Sequence, residues 1–141
     1  KWDPLDYLII DCPPGTGDEP LTVVQTIKDA EAIIVTTPQK VALADVRKSL
    51  SFCQLGHIPV RGIIENMSGF VCPHCGQEVD IFKAGGGKAL AEEKGLPFLG
   101  RIPIDPQVVA AEDEGNPLEN ISEASRKALD AIVDKVVEQD K

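Results

Sequence analysis

One pentapeptide carries the strongest chemical signal in this sequence. Cys72-Pro73-His74-Cys75-Gly76 places two thiol side chains on one tight turn. Thiolates select zinc, copper(I) or iron–sulfur clusters, and a closed zinc site or a four-iron cluster takes four protein ligands. Because no other cysteine pair lies near this turn in the sequence, we predict that Cys72 and Cys75 are half of a metal site, which a second copy of the chain completes.

The same cysteine spacing also occurs in enzymes of thiol–disulfide exchange. That chemistry favours a motif that opens a helix, where the thiol pKa is lowered, whereas here Gly76 follows and the next helical pattern begins later. Pro73 and Gly76 suit a turn whose backbone amides point at the sulfurs, and such hydrogen bonds tune the potential of a cluster. Metal binding is therefore the leading interpretation, and the other two cysteines, Cys12 and Cys53, are interpreted as buried thiols.

A second candidate site follows an apolar run. Tyr7-Leu8-Ile9-Ile10 predicts a strand buried on both faces, and Asp11 comes directly after it. Ligands of open α/β sheets bind at the carboxyl ends of parallel strands, where P-loop nucleotidases place a magnesium-binding aspartate. In the loop that follows, Gly15 and Gly17 have no side chain, so the backbone can approach a phosphate closely there. Taken by itself, Asp11 could equally be a turn residue.

Strand-like and helix-like patterns alternate along the chain, which is typical of a parallel sheet with crossover helices. Further strands are predicted at 32–37, 60–65 and 98–102. Helices are predicted from Pro20, across the stripe Leu43, Val46, Leu50 and Cys53 up to Gly56, over 88–94, and after a cap at Asn120 or Ser122. Residues 67–86 have weak periodicity and form an insert, which in a compact domain is usually functional.

The composition limits the class of protein. With 141 residues, of which 43% are hydrophobic, the chain is one globular domain or a piece of one. Its net charge of −9 opposes nucleic-acid binding, which depends on clustered Lys and Arg. No run approaches the roughly 18 apolar residues of a membrane span, and no signal peptide opens the sequence. We therefore expect a cytoplasmic protein without nucleic-acid or membrane partners.

Five segments, taken together and in order, resemble one protein family. They are Asp6–Asp18, Thr36–Gln39, Gly62–Ser68, the cysteine turn Cys72–Gly76, and Phe98–Asp105. Over nearly all of its 141 residues the chain is similar to the Mrp/ApbC family, whose members are iron–sulfur cluster carrier ATPases of the MinD/ParA-like P-loop group. The resemblance implies an α/β fold, the Rossmann-like three-layer parallel sheet of P-loop NTPases.

The resemblance also implies roles for individual residues, with ATP and Mg²⁺ as cofactors. Asp11 matches the Walker B aspartate and is the implied catalytic residue. The implied nucleotide contacts are the phosphate-sensing switch Pro14, Gly15 and Thr16, the adenine reader Asn66, and the base loop Pro103, Ile104 and Asp105. The amide of Asn66 offers both the donor and the acceptor that the adenine edge requires.

Cys72 and Cys75 match a pair that, with the same pair of a second subunit, bridges a 4Fe–4S cluster. The implied protein is an ATP-dependent carrier that assembles its cluster on a homodimer through this loop and passes it to apo iron–sulfur proteins. A dimeric nucleotide-binding module with a structural Zn²⁺ at the cysteine pair is the alternative. A thiol oxidoreductase fits less well, and a MinD-like membrane role conflicts with the mixed charges of the last helix, which ends Glu138-Gln139-Asp140-Lys141.

One part of the family pattern lies outside this sequence. In the family, the Gly-rich phosphate loop with its Lys and Ser/Thr precedes the Walker B strand, and the chain begins just before that strand. Ala84–Ala89 is Gly-rich but lacks the first spaced Gly and the Ser/Thr after Lys88, so it is interpreted as a hinge and helix start. Residues 1–141 are interpreted as the C-terminal part of a single P-loop ATPase domain, inactive as an ATP hydrolase by themselves. Residues 7–11 are then an interior strand of the complete domain, and the half-domain is expected to have a long unpaired edge or an apolar face that another chain covers.

Overall fold

Strands and helices alternate through most of the chain. A computed structural model describes residues 3–72 and 74–141. In chain order the elements are α1 (Asp18–Thr26), β1 (Ala32–Thr36), α2 (Lys40–Leu55), β2 (Val60–Glu65), β3 (Phe70–Val71), β4 (Glu78–Val79), α3 (Gly86–Lys94), β5 (Phe98–Arg101), α4 (Pro106–Asp113) and α5 (Glu123–Glu138). None of the described helices combines the length and the apolar composition needed to cross a bilayer.

The main sheet is parallel and has the strand order β1-β2-β5. Ile34 of β1 lies opposite Ile63 of β2, and Ile63 lies opposite Phe98 of β5. Parallel neighbours need a long crossover connection, which α2 supplies between β1 and β2, and α3 between β2 and β5. The predicted α/β fold with a parallel sheet is confirmed, and its three central strands begin where the sequence places them.

The core consists of two apolar clusters, one on each face of β2. Ile63 is fully buried and packs with Leu50 of α2 and Leu90 of α3. The next residue, Ile64, packs with Leu99 of β5 and Ile132 of α5 on the opposite face, because successive side chains of a strand alternate between faces. Burial of each such side chain stabilises the fold by about 1.5–3 kcal/mol. Helices therefore cover the sheet from two sides, as the predicted three layers require.

Local sequence signals set the helix ends. Helix α2 ends at Gly56 as predicted, and α3 ends at Gly95, whose φ of 65° is the left-handed conformation that favours glycine at this position. Of the two caps proposed for α5, Ser122 is the one used, since its hydroxyl accepts a hydrogen bond from the Ser125 amide. Helix α1 begins at Asp18, so that Pro20 is not its first residue.

The strand predicted at Tyr7-Leu8-Ile9-Ile10 is not formed. These residues are irregular, and their side chains are 41–82% exposed. A strand requires a neighbour that shares its hydrogen-bond ladder, and among the described residues β1, β2 and β5 pair only with one another in the main sheet. The prediction that Cys12 is buried is also wrong, since this cysteine lies in the same exposed segment, whereas Cys53 is buried as predicted.

Candidate functional site

The candidate site lies at the carboxyl edge of the main sheet. Because β1, β2 and β5 are parallel neighbours, the loops that follow them meet at one edge, where ligands of open α/β sheets bind. Backbone hydrogen bonds join these loops: the Asn66 amide donates to the Thr36 carbonyl at 2.7 Å, and the Ile102 amide donates to the Glu65 carbonyl at 2.8 Å. Asn66 and the predicted base loop that follows Ile102 are thus brought to the same edge.

The cysteine pair lies at the tip of a short hairpin, described for residues 70–72 and 74–79, which we call the cysteine hairpin. Its strands β3 and β4 pair antiparallel, with Val71 opposite Glu78. At the tip the Cys72 amide donates to the Gln77 carbonyl at 3.0 Å, and the Gly76 amide donates to the Cys72 carbonyl at 2.8 Å. The insert predicted over 67–86 therefore contains regular structure. Within it Cys72 is half-buried, Cys75 is exposed, and both are free thiols.

The environment of the two thiols suits metal binding. Hydrogen bonds from the backbone amides of His74 and Cys75, and then from the Cys75 thiol, hold the pKa of Cys72 below its usual value, which favours the thiolate that metals bind. No group of three or more His, Cys, Asp or Glu side chains that could hold a metal occurs in residues 3–72 and 74–141. Within these residues the pair therefore offers two thiol ligands at one position. It lies on a hairpin tip and not at a helix start, so a helix N-terminus, one of the features that lower the thiol pKa in thiol oxidoreductases, is not present at the pair.

The cysteine hairpin is attached to the segment that follows β5. The Ser68 amide donates to the Ile102 carbonyl at 3.0 Å, and the Ile104 amide donates to the Gly69 carbonyl at 2.7 Å. Phe70 then forms a parallel bridge with Ile104. The strand that leads to Cys72 is thus hydrogen-bonded to the backbone of the predicted base loop.

Glu65 supports the candidate site from within, a structural role that the sequence interpretation missed. Its carboxylate is completely buried at the end of β2 and accepts hydrogen bonds from the Ser68 hydroxyl and from the amides of Gly85 and Gly87. These amides belong to the first turn of α3, whose unpaired N–H groups attract a negative charge. Since the carboxylate already occupies this position, the Gly-rich segment is a helix start, as predicted, and not a phosphate loop.

The predicted switch lies in a different part of the chain. Asp11, Pro14, Gly15 and Thr16 are exposed in the irregular segment before α1. Gly15 has a φ of 103°, with no atom within 4 Å of where a Cβ would stand, so the turn is open to a ligand. Carboxylate and hydroxyl oxygens are the ligand type that Mg²⁺ takes, and Asp11 and Thr16 fit it in kind. In the described part of the chain, no hydrogen bond joins residues 11–16 to Asn66 or to the base loop.

The other predicted nucleotide residues already make contacts within the protein. The side-chain oxygen of Asn66 accepts from the Met67 amide at 2.8 Å. The Asp105 carboxylate accepts from the Gln107 amide at 2.9 Å, the Ser122 amide at 3.0 Å and the Ser125 hydroxyl at 2.7 Å. Partial burial opposes ionisation of this carboxylate, yet the donors of Ser122, Ser125 and Gln107 hold its pKa below the usual value. Asp105 is therefore a structural cap of α4, and all three residues of the base loop, Pro103, Ile104 and Asp105, are half-buried.

Comparison with protein families gives one match that spans almost the entire chain. Residues 1–137 match the model of the ParA family described as the NUBPL iron-transfer P-loop NTPase. An iron–sulfur cluster carrier protein of Methanocaldococcus jannaschii is 53% identical over 140 residues, which are 96% of this chain and 48% of that protein. A relative from Candida albicans, the cytosolic Fe-S cluster assembly factor CFD1, is 47% identical over 147 residues, covering 96% of this chain and 50% of its own length. The chain thus spans about half the length of these relatives.

Solved structures give the same fold. A nucleotide-binding protein from Archaeoglobus fulgidus, described as a complex with ADP in which Co was found, superimposes with a TM-score of 0.72 and 43% identity. The match covers 82% of this chain and 47% of that protein. The Pyrococcus furiosus cell division ATPase MinD superimposes with a TM-score of 0.71 at 23% identity, over 95% of this chain and 52% of that protein. This second likeness concerns the fold alone.

Proposed function

Because the chain belongs to the ParA family of NUBPL-type iron-transfer P-loop NTPases, we propose that it carries an iron–sulfur cluster on Cys72 and Cys75. The observation that carries this proposal is the free cysteine pair at an accessible hairpin tip. The relatives named as iron–sulfur cluster carriers support a cluster as cargo. Relatives named as cytosolic assembly factors support a cytoplasmic location.

The proposed carrier is a homodimer that holds a 4Fe–4S cluster between two cysteine hairpins. Two copies provide four thiolates, the usual ligand number of such a cluster, whereas one copy provides two. Apolar side chains on the hairpin strands and just after them are uncovered: Val71, Val79, Ile81 and Phe82 are 40–51% exposed. Exposed apolar patches of this kind mark interaction sites. In this proposal they pack against the same patch of the second copy, and the cluster passes to apo iron–sulfur proteins when the copies separate.

The proposed nucleotide is ATP with Mg²⁺. Asp11 would hold the magnesium, residues 14–16 would contact the terminal phosphate, and Asn66 with residues 103–105 would contact the base. The phosphate loop and its lysine would come from sequence upstream of this chain. In P-loop NTPases, catalysis rests on positioning and charge stabilisation, so that ATP hydrolysis is proposed for the complete domain, with Asp11 as its catalytic residue.

Anaerobic reconstitution with iron and sulfide tests the cluster proposal. We expect the visible absorbance of an iron–sulfur cluster at a stoichiometry of one cluster per two chains, together with dimerisation in sedimentation velocity. Cys72→Ser and Cys75→Ser should each remove the absorbance. Cys53→Ser is the matched control and should change neither result, because that thiol is buried among α2 and α3 residues.

Two outcomes would contradict the proposal. Cluster formation on a monomer would show that further ligands come from within one chain. Stoichiometric zinc in the anaerobically purified protein, without iron-dependent absorbance after reconstitution, would favour the structural zinc alternative, in which the same cysteine pair only joins two subunits.

A further inference from the structure

The cysteine hairpin is too short to hold its own shape. Strands β3 and β4 have two residues each, and an isolated two-stranded hairpin is marginally stable at best in water. The relative position of Cys72 and Cys75 therefore depends on how each strand is attached to the rest of the protein. Cys72 follows β3 directly, whereas Cys75 lies on the β4 side of the tip.

The two strands are attached in different ways. The β3 side is joined through the backbone, by the Ile104 amide to the Gly69 carbonyl and by the Phe70 bridge to Ile104. On the β4 side, a guanidinium nitrogen of Arg101 contacts Glu78 Oε1 at 2.6 Å. Glu78 is the first residue of β4 and lies directly after Gln77, which accepts the hydrogen bond of the Cys72 amide.

Arg101 reaches the hairpin from the main sheet. It is the last residue of β5, two positions after Leu99, which is 1% exposed in the core. The guanidinium therefore extends from a rigid strand to the hairpin. Gly69 leaves space for this contact, because a Cβ built on it would stand 3.0 Å from Glu78 Oε1. The carboxylate of Glu78 thus lies over the backbone that leads into β3.

We propose that Arg101 is a positioning residue, which fixes β4 through Glu78 and so sets the geometry of the cysteine pair. The inference rests on the proposed cluster-carrier function and adds a residue that determines how firmly the cargo is held. Both side chains of the pair are about half exposed, and exposed ion pairs contribute little to global stability. Loss of the Arg101–Glu78 pair is therefore expected to change the geometry of the hairpin and to leave the stability of the domain almost unchanged.

Charge reversal tests the role of the pair. Arg101→Glu and Glu78→Arg each place like charges together, and the double variant restores an opposite-charge pair. The matched control is the Arg47–Glu93 pair, which joins α2 to α3 with the same residue types and similar exposure, 44% and 48% against 48% and 51%. The readout is the rate at which a chelator removes iron from the reconstituted protein, with the thermal midpoint of unfolding measured in parallel.

We expect each single reversal at Arg101 or Glu78 to raise the rate of iron loss about two- to fivefold, as the energy of one exposed pair allows. The double variant should return to the wild-type rate, and reversals at Arg47 and Glu93 should leave the rate unchanged. Unaltered iron loss in the single variants, or no recovery in the double variant, would overturn the inference. The inference would also be overturned if iron loss rose only in variants whose thermal midpoint of unfolding is lowered, since general destabilisation would then explain it.

A second probe separates this inference from the proposed function. An organic arsenical that binds two neighbouring thiols reports the geometry of Cys72 and Cys75 without any cluster. If wild type forms no cluster, the carrier proposal fails, and the arsenical decides the role of Arg101. Weaker binding in both single variants, with recovery in the double variant, supports a positioning role, and equal binding in all variants refutes it.

Discussion

Among single residues, Glu65 has the greatest influence on the candidate site. One buried carboxylate holds the Ser68 hydroxyl, at the base of the cysteine hairpin, and the first turn of α3 through Gly85 and Gly87. Hydrogen bonds to a charged acceptor are stronger than those between neutral groups. Glu65 therefore joins the end of β2 to both segments that follow it.

We expect Glu65→Gln to destabilise the protein by about 1–3 kcal/mol, the range for a buried group that loses its partner. The new amide group has the same shape but places N–H donors where the amides of Gly85 or Gly87 already donate. Urea unfolding followed by circular dichroism measures this loss. Glu92→Gln is the control, since Glu92 is exposed on the same helix α3. Equal urea midpoints for wild type and Glu65→Gln would contradict the role assigned to the carboxylate.

At the scale of elements, a single side chain joins two helices. Asp105 is the N-cap of α4, and its second oxygen accepts from Ser122 and Ser125 at the start of α5. The carboxylate therefore fixes the start of α4 against the start of α5. Because its pKa lies below the usual value of 3.8, the stabilisation is present above that value and is lost as the pH falls through the lowered pKa.

Asp105→Ala should lower the free energy of unfolding by about 1–2 kcal/mol at neutral pH, the cost of a lost N-cap. The difference from wild type should shrink at pH values below 3.8, where protonation weakens the cap in the wild-type protein too. Urea unfolding at neutral and acidic pH measures both effects. Asp130→Ala, which removes an exposed carboxylate from α5, should show no such loss. A pH-independent difference would argue against a role for the ionised carboxylate.

The elements that could be predicted from the sequence are those with a clear pattern of apolar residues of their own. Strands β1, β2 and β5 were predicted to within one residue at each end, because each is a short, mostly apolar run between residues that break a strand. Helix α4 was missed, since Val108, Val109, Ala110 and Ala111 form no stripe and only the last is buried. Strands β3 and β4 were missed because two residues are too few to show the alternation by which a strand is recognised in a sequence.

The same distinction applies to the candidate site. The sequence could predict the cysteine pair as half of a metal site, since ligand type and spacing are local properties of a sequence, and this metal role also stays a prediction. The role of Glu65 was not predicted, because Gly85 and Gly87 lie 20 and 22 residues away from it. The Arg101–Glu78 contact spans 23 residues and was missed for the same reason. The nucleotide roles of Asp11, Asn66 and residues 103–105 stay predictions.

For the whole molecule, the main feature is an uncovered apolar surface on one side of the sheet. Along β1, Ile34 and Thr36 are buried, whereas Ile33 and Val35 are 37% and 55% exposed. The segment Tyr7–Ile10 is likewise exposed. Strand β1 is also an edge of the described sheet, and exposed apolar edge strands favour association with other chains.

We therefore expect this chain to self-associate through β1, and Ile33→Thr with Val35→Thr to reduce that association. Threonine keeps the β-branched shape that strands favour, so the folded state should be retained. Light scattering across a concentration series measures the change. Val133→Thr, at an exposed site of α5 (57%), is the control and should have no effect. Equal scattering by the double variant and wild type would show that another surface causes the association.

The backbone bonds that join residues 65–69, which lead into the cysteine hairpin, to residues 102–104 have a consequence for deuterium uptake. The amides of Ser68, Ile102 and Ile104 donate between these two segments, so their exchange with solvent requires that the segments separate. Amides that share one opening event exchange with one protection factor. We expect these three amides to show equal protection factors in mass spectrometry or NMR, and a ligand that protects one of them to protect all three. Unequal protection factors would show that the two segments open independently, and equal factors that they open together.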